Sequence, residues 1–155
     1  MIQQVISKAV SHVGYKEGPN NDNQFAKLCG HANNQPWCAT FISAIFLEAG
    51  LKGLVPNSAA VAAFEVWGKA AKFAVPVSEA KRGDLIIFDF AKKNKPDHIE
   101  IAIHDVDLNT HTIQTIGGNT SNGNDTNGDG VYRRTRSAEF IRAAIRPPYK
   151  ETSNA

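Results

Sequence analysis

Apolar residues recur at helical spacing from the amino terminus. Ile2, Val5, Ile6, Ala9, Val10 and Val13 predict an amphipathic helix ended by Gly14. The turn-forming run YKEGPNNDN follows. Asn23 to Cys29 reads as a short helix, and GHANNQP leads from it into a longer one, about Trp37 to Ala49. That second helix is apolar almost all the way round, through Phe41, Ile42, Ile45, Phe46 and Ala49, so it belongs in the core, with Gly50 as its stop. Ser58 is placed to cap a further helix, about Ala59 to Lys72, with Val61, Phe64, Trp67 and Ala71 inward. After KRGD the period drops to two. LIIFDF (Leu85 to Phe90), HIEIAIHDV (His98 to Val106) and HTIQTIG (His111 to Gly117) read as strands, and GVYRRT and IRAAIRP add a later pair.

Helices first and strands afterwards predict an α+β domain, with the helices packed on one side of an antiparallel sheet. A chain of 155 residues suits one domain with a single core, here 1–149, followed by a frayed tail at 150–155. No repeat or linker interrupts it, and NTSNGNDTNGDG reads as a long polar loop between strands.

Composition narrows the class of partner. Hydrophobic residues make up 42% and charged ones 21%, ordinary for a soluble globular chain. The net charge of +2 lacks the clustering of a nucleic-acid binder, though it is compatible with an anionic polymer. The densest basic group, Arg133, Arg134 and Arg136, reads as a solvated face. No apolar run approaches the ~18 residues of a membrane span. The first fifteen residues lack a charged region followed by an unbroken apolar run, so a protein synthesised in the cytoplasm without a signal peptide is expected.

Chemistry centres on Cys38, one of two cysteines. Cys29 closes the FAKLC pattern and reads as core, and a single bridge between the two stays open. Cys38 sits where a turn becomes a helix. It is either a small buried residue or a nucleophile whose thiolate the positive end of the helix dipole favours. A nucleophile needs a base and a group to orient that base. Alternation along DHIEIAIH puts His98, Glu100, Ala102 and His104 on one face of a strand and three isoleucines on the other. With the isoleucines toward the core, His98 is expected to face a groove. Asn119, after the next strand, is placed to accept the imidazole N–H. Cysteine, histidine and asparagine in this order match a papain-like site. Trp37, beside Cys38, reads as a partly exposed groove wall.

QPWCATFISAIFLEAG, RGDLIIFDF, DHIEIAI and TIGGNTS together resemble the CHAP domain, the cysteine- and histidine-dependent amidohydrolases and peptidases of the NlpC/P60-like papain fold. The resemblance spans roughly Tyr15 to Pro147, and GYKEGPNNDNQFAKLCG is similar to CHAP modules of phage endolysins. It implies Cys38 as nucleophile, His98 as general base and Asn119 as the polar residue of the family's EGN segment. The glutamate of that segment is Gly117 here, and Glu100 is the first substitute for it. Tyr15 and Gln35 are implied as oxyanion donors beside the Cys38 N–H.

The implied activity is cleavage of an amide bond in bacterial peptidoglycan, at the N-acetylmuramoyl–L-alanine linkage or within the stem or cross-bridge. The enzyme would be a monomer acting on the wall after release or delivery. A catalytically inactive wall-binding module and an intracellular amidase for small molecules are the alternatives. No cofactor is required. Calcium has weak candidates in Glu17, Asn20, Asp22 and Asn23, the region where some CHAP domains hold it. DTNGDG (Asp125 to Gly130) opens like a calcium loop, but its twelfth position is Arg136 rather than a glutamate. His31, His104 and His111 lack zinc spacing.

Overall fold

The computed structural model describes residues 1–121 and 127–150. Four helices precede a six-stranded sheet, confirming the α+β order. Helix α1 (Ile2–Ser11) buries Val5, Ile6 and Ala9. It stops short of Gly14, whose N–H turns to the Val131 carbonyl at 3.0 Å. Helix α2 (Gln24–Cys29) starts at Asn23, whose side-chain oxygen accepts the Phe25 and Ala26 N–H groups, and ends at Gly30 in the left-handed conformation. Helix α3 (Cys38–Glu48) is buried at every residue from Cys38 to Phe46, as its all-round apolar pattern requires. Helix α4 (Val61–Ala70) begins two residues later than expected, because the Ser58 hydroxyl accepts the Ala60 N–H and closes a turn ahead of the helix.

The strands are β1 (Ala74–Val75), β2 (Leu85–Phe88), β3 (His98–Ala102), β4 (Thr112–Thr120), β5 (Gly130–Ser137) and β6 (Ile141–Ile145). They lie in the order β1-β6-β2-β3-β4-β5, each pair antiparallel. The two-residue β1 escapes the sequence pattern because it has no alternation to display. It is fixed by pairing with Ile145 and Ala144 of β6.

Both faces of the central strands are covered. Leu85, Ile87, Ile99, Ile101, Ile116 and Ile145 join the four-helix side in the main core. Ile86, Phe88, Ala102, Ile113 and Ala144 form a smaller cluster with Phe90 and Phe140 on the other side. The expectation that the non-isoleucine face of β3 opens on a groove is therefore corrected. His98, Glu100 and Ala102 have no exposed surface.

Candidate active site

Cys38 is the first residue of α3, and only 5% of its surface is exposed. The first-turn N–H groups of a helix have no intrahelical acceptors, so they point past the thiol as anion-binding donors. The helix start is anchored by Trp37. Its indole is fully buried, stacks on Phe25 (centroids 5.5 Å apart) and donates Nε1–H to Glu17 Oε1 at 2.9 Å. Trp37 is thus a core anchor and not a groove wall. The reason is the cluster of Tyr15, Phe25 and Phe41 rings around it, which no local pattern reveals. Opposite, β4 approaches α3 closely at Gly118, where a Cβ would lie 2.6 Å from Phe41 Cβ and 2.7 Å from Trp37 Cζ3. Only glycine lets the strand and helix meet at that distance.

His98 opens β3 and brings its imidazole against the Cys38 thiol. Nδ1 is buried and makes no hydrogen bond among the described residues, and the Cys38 thiol is close enough to the ring to favour its charged form. Nε2 lies 2.8 Å from Glu100 Oε2. The imidazole nitrogen that the sequence assigns to Asn119 is therefore held by Glu100. Glu100 is itself fully buried, and each of its oxygens has two partners. Oε1 accepts from Thr115 Oγ1 (2.6 Å) and Arg136 Nε (2.9 Å); Oε2 accepts from Arg136 Nη2 (2.7 Å) and meets His98.

Gly117 explains how this carboxylate fits. A Cβ at position 117 would lie 2.5 Å from both Glu100 Cγ and Oε2. The space beside Gly117 is filled by a carboxylate sent from β3, so the departure from the EGN pattern leaves the site with an acidic group.

The electrostatics follow from burial and pairing. Burial alone would depress the His98 pKa, but the Glu100 charge, the Cys38 thiol and the Glu100 hydrogen bond outweigh it and raise it to about 9. Burial would likewise raise the Glu100 pKa, and the Arg136 hydrogen bonds with the His98 charge reverse this and hold it well below the carboxylate range. Cys29 is different in kind. Burial, then the nearby Glu48 charge, pushes its thiol up to about 11, and its Sγ points to the Thr40 carbonyl at 3.5 Å. Both cysteines are free.

Arg136 is a further residue that sequence reasoning places wrongly. It is 1% exposed, not part of a solvated face. A signal was available: strand alternation sets Arg134 and Arg136 on one face, and an inward arginine needs an inward carboxylate, which Glu100 is.

The other expected residues are nearby but otherwise engaged. The Tyr15 hydroxyl accepts the Gln24 N–H at 2.9 Å at the start of α2. Gln35 is half-buried and donates to the Ala32 carbonyl at 3.1 Å. Asn119 is buried at the end of β4 with a φ of 51°, and its Oδ1 lies 3.2 Å from the Asn21 side-chain amide group. Of the calcium candidates, Glu17 accepts from Trp37 and the Asn21 N–H, and the Asn20 carbonyl from Asn34. Asp22 accepts from Asn33, and Asn23 caps α2. Among the described residues no group of three or more His, Cys, Asp or Glu is placed to hold a metal ion. Asp125 and Thr126 of DTNGDG lie outside the described residues.

A solved structure shares this architecture: the P60 domain of an antigen from M. avium subspecies paratuberculosis. It superposes with a TM-score of 0.53 over 94% of this chain and 93% of that one. The chain has the papain-like NlpC/P60 fold. Sequence identity to that P60 domain is 20%, so the likeness is one of fold. No family profile matches the sequence, and no curated protein matches it. In this fold the helix-start cysteine and the strand-start histidine come from the two halves of the chain. The sheet order brings them together by placing β3 beside β4 under α3.

Proposed function

We propose that this P60-fold protein is a cysteine-dependent hydrolase that cleaves an amide bond of bacterial peptidoglycan. The observation that carries the chemistry is the buried line from Cys38 through His98 to Glu100 at the start of α3 and β3. The substrate rests on the likeness of the four sequence motifs to CHAP domains, together with the fold.

In the proposed reaction His98 Nδ1 takes the thiol proton and Cys38 Sγ attacks the amide carbonyl. The Cys38 N–H at the head of α3 stabilises the developing oxyanion, with Tyr15 or Gln35 as second donor. The imidazolium then gives its proton to the leaving amine as the C–N bond breaks. Water, deprotonated by His98, attacks the thioester and releases the acid and the thiol. Glu100 keeps the ring oriented and stabilises its charged form throughout. A glycine at position 117 favours an inactive wall-binding module only where it leaves the site without an acid, and here the Glu100 carboxylate lies against that position.

The protein is proposed to act as a monomer on the wall, after release through a membrane lesion or delivery by a secretion machine. Digestion of purified peptidoglycan, with mass spectrometry of the fragments, tests the activity. Muramic lactyl ends free of stem peptide identify an amidase; new amines within stem or bridge identify an endopeptidase. C38A and H98A are expected to fold normally and release nothing. Hydrolysis by both variants would refute the assignment.

A further inference from the structure

We propose that Arg136 is a positioning residue of this site: its guanidinium fork fixes the Glu100 carboxylate beneath His98 and thereby keeps the Cys38–His98 pair in its reactive form. The inference rests on the reading of Cys38 and His98 as the reacting pair.

Arg136 lies on β5, two strands from His98 on β3, and reaches its partner across β4. Thr115 and Gly117 of β4 line the crossing, and the missing side chain at Gly117 leaves room for the carboxylate to meet the guanidinium. Arg136 offers Glu100 two parallel N–H donors, Nε to Oε1 at 2.9 Å and Nη2 to Oε2 at 2.7 Å. Nη2 also donates to Thr120 Oγ1 at 2.8 Å, and the guanidinium carbon sits 4.8 Å from the Phe90 ring centroid and 5.6 Å from that of Phe88.

A planar fork on a planar carboxylate removes its freedom to rotate. Oε2 is thus left aimed at His98 Nε2, 2.8 Å away. A carboxylate with no exposed surface and no cation would take up a proton. A neutral Glu100 would no longer favour the imidazolium that the thiolate needs. Stability alone gives little reason for the arrangement, since well-packed apolar residues often replace a buried ion pair without loss.

Among the described residues, the charged and titratable groups around the imidazole and its carboxylate include Cys38 from α3, Glu100 from β3, and Arg134 and Arg136 from β5. β2 contributes the Phe88 ring and β4 the Thr115 hydroxyl.

The test is the rate of Cys38 alkylation by iodoacetamide, followed by peptide mapping over about pH 5 to 9 in wild type, R136K, R136M and E100Q. Cys29 on the same chain is the slow internal control. At pH near 6, R136M and E100Q are expected to alkylate at Cys38 roughly tenfold more slowly or worse, equivalent to one pKa unit of lost stabilisation. Near pH 9, above the ordinary range of a cysteine thiol, their rates should converge on wild type. R136K keeps the charge without the fork and should fall between. A structural role alone would speed alkylation at every pH by exposing the thiol, and would overturn the proposal. So would a folded R136M whose profile superimposes on wild type. Should R136M not fold, R136K and E100Q are judged by the same criterion. Alkylation that depends on Arg136 in a protein that leaves peptidoglycan intact upholds the positioning role and refutes the substrate. A wild-type profile unchanged in H98A refutes the pair, and this proposal with it.

Discussion

Gly117 looks like a defect when set against the CHAP pattern and is a fitted part of the site when its neighbours are seen. Its missing Cβ is the volume that Glu100 occupies. G117A should therefore force a methyl into Glu100 between two paired strands, at a cost of about 1–3 kcal/mol typical of overpacking. Urea denaturation at constant m-value checks that, and wall hydrolysis should fall with it. Moving the carboxylate back is a sharper trial. E100G should lose hydrolysis, and E100G/G117E, which sends the acid from β4 instead of β3, should recover part of it; a double variant no better than E100G would argue that only β3 can deliver the carboxylate. Residue identity did expose Cys38 and His98 as candidates. It could not show that Trp37 is buried, which depends on the Tyr15 and Phe25 rings far upstream; for Arg136 the alternation along β5 gave a hint, and only its Glu100 partner on β3 turns it inward.

Elements were legible where their own periodicity is strong. Helix α3 and strands β2 to β6 emerge from apolar spacing, and errors gather at ends, where hydrogen bonds outside the element decide. Ser58 closes a turn before α4 rather than capping it, and Asn23 does cap α2. The α2 cap matters because this short helix packs Phe25 against Trp37 behind Cys38. N23A removes the acceptor for two N–H groups and should cost about 1 kcal/mol of stability. Thermal unfolding would show it, with Cys38 alkylation nearly unchanged if α2 supports the site only through packing.

For the whole molecule, the buried pair links stability to pH. His98 has its pKa raised from 6.5 to about 9 on folding, so its contribution is fully present below about 6.5 and lost as pH rises through about 9. Glu100 has its pKa depressed from 4.5, so its contribution is fully present above about 4.5 and lost as pH falls below that. Their joint contribution is greatest between about pH 4.5 and 6.5. Melting temperatures measured across pH should show the alkaline decline in wild type, and E100Q should flatten it. An equally steep alkaline fall in E100Q would assign that decline to other groups.

The sequence by itself determined the order of helices and strands, the buried helix behind Cys38, and Cys38 and His98 as candidates for a nucleophile and a base, because periodicity and residue chemistry are local properties. Tertiary structure decided which carboxylate holds the histidine, why a glycine stands at position 117 beside Glu100, and that an arginine two strands away pairs with that carboxylate. Those facts depend on strand order and on the volume left between paired strands. Neither is written in the spacing of residues along one segment.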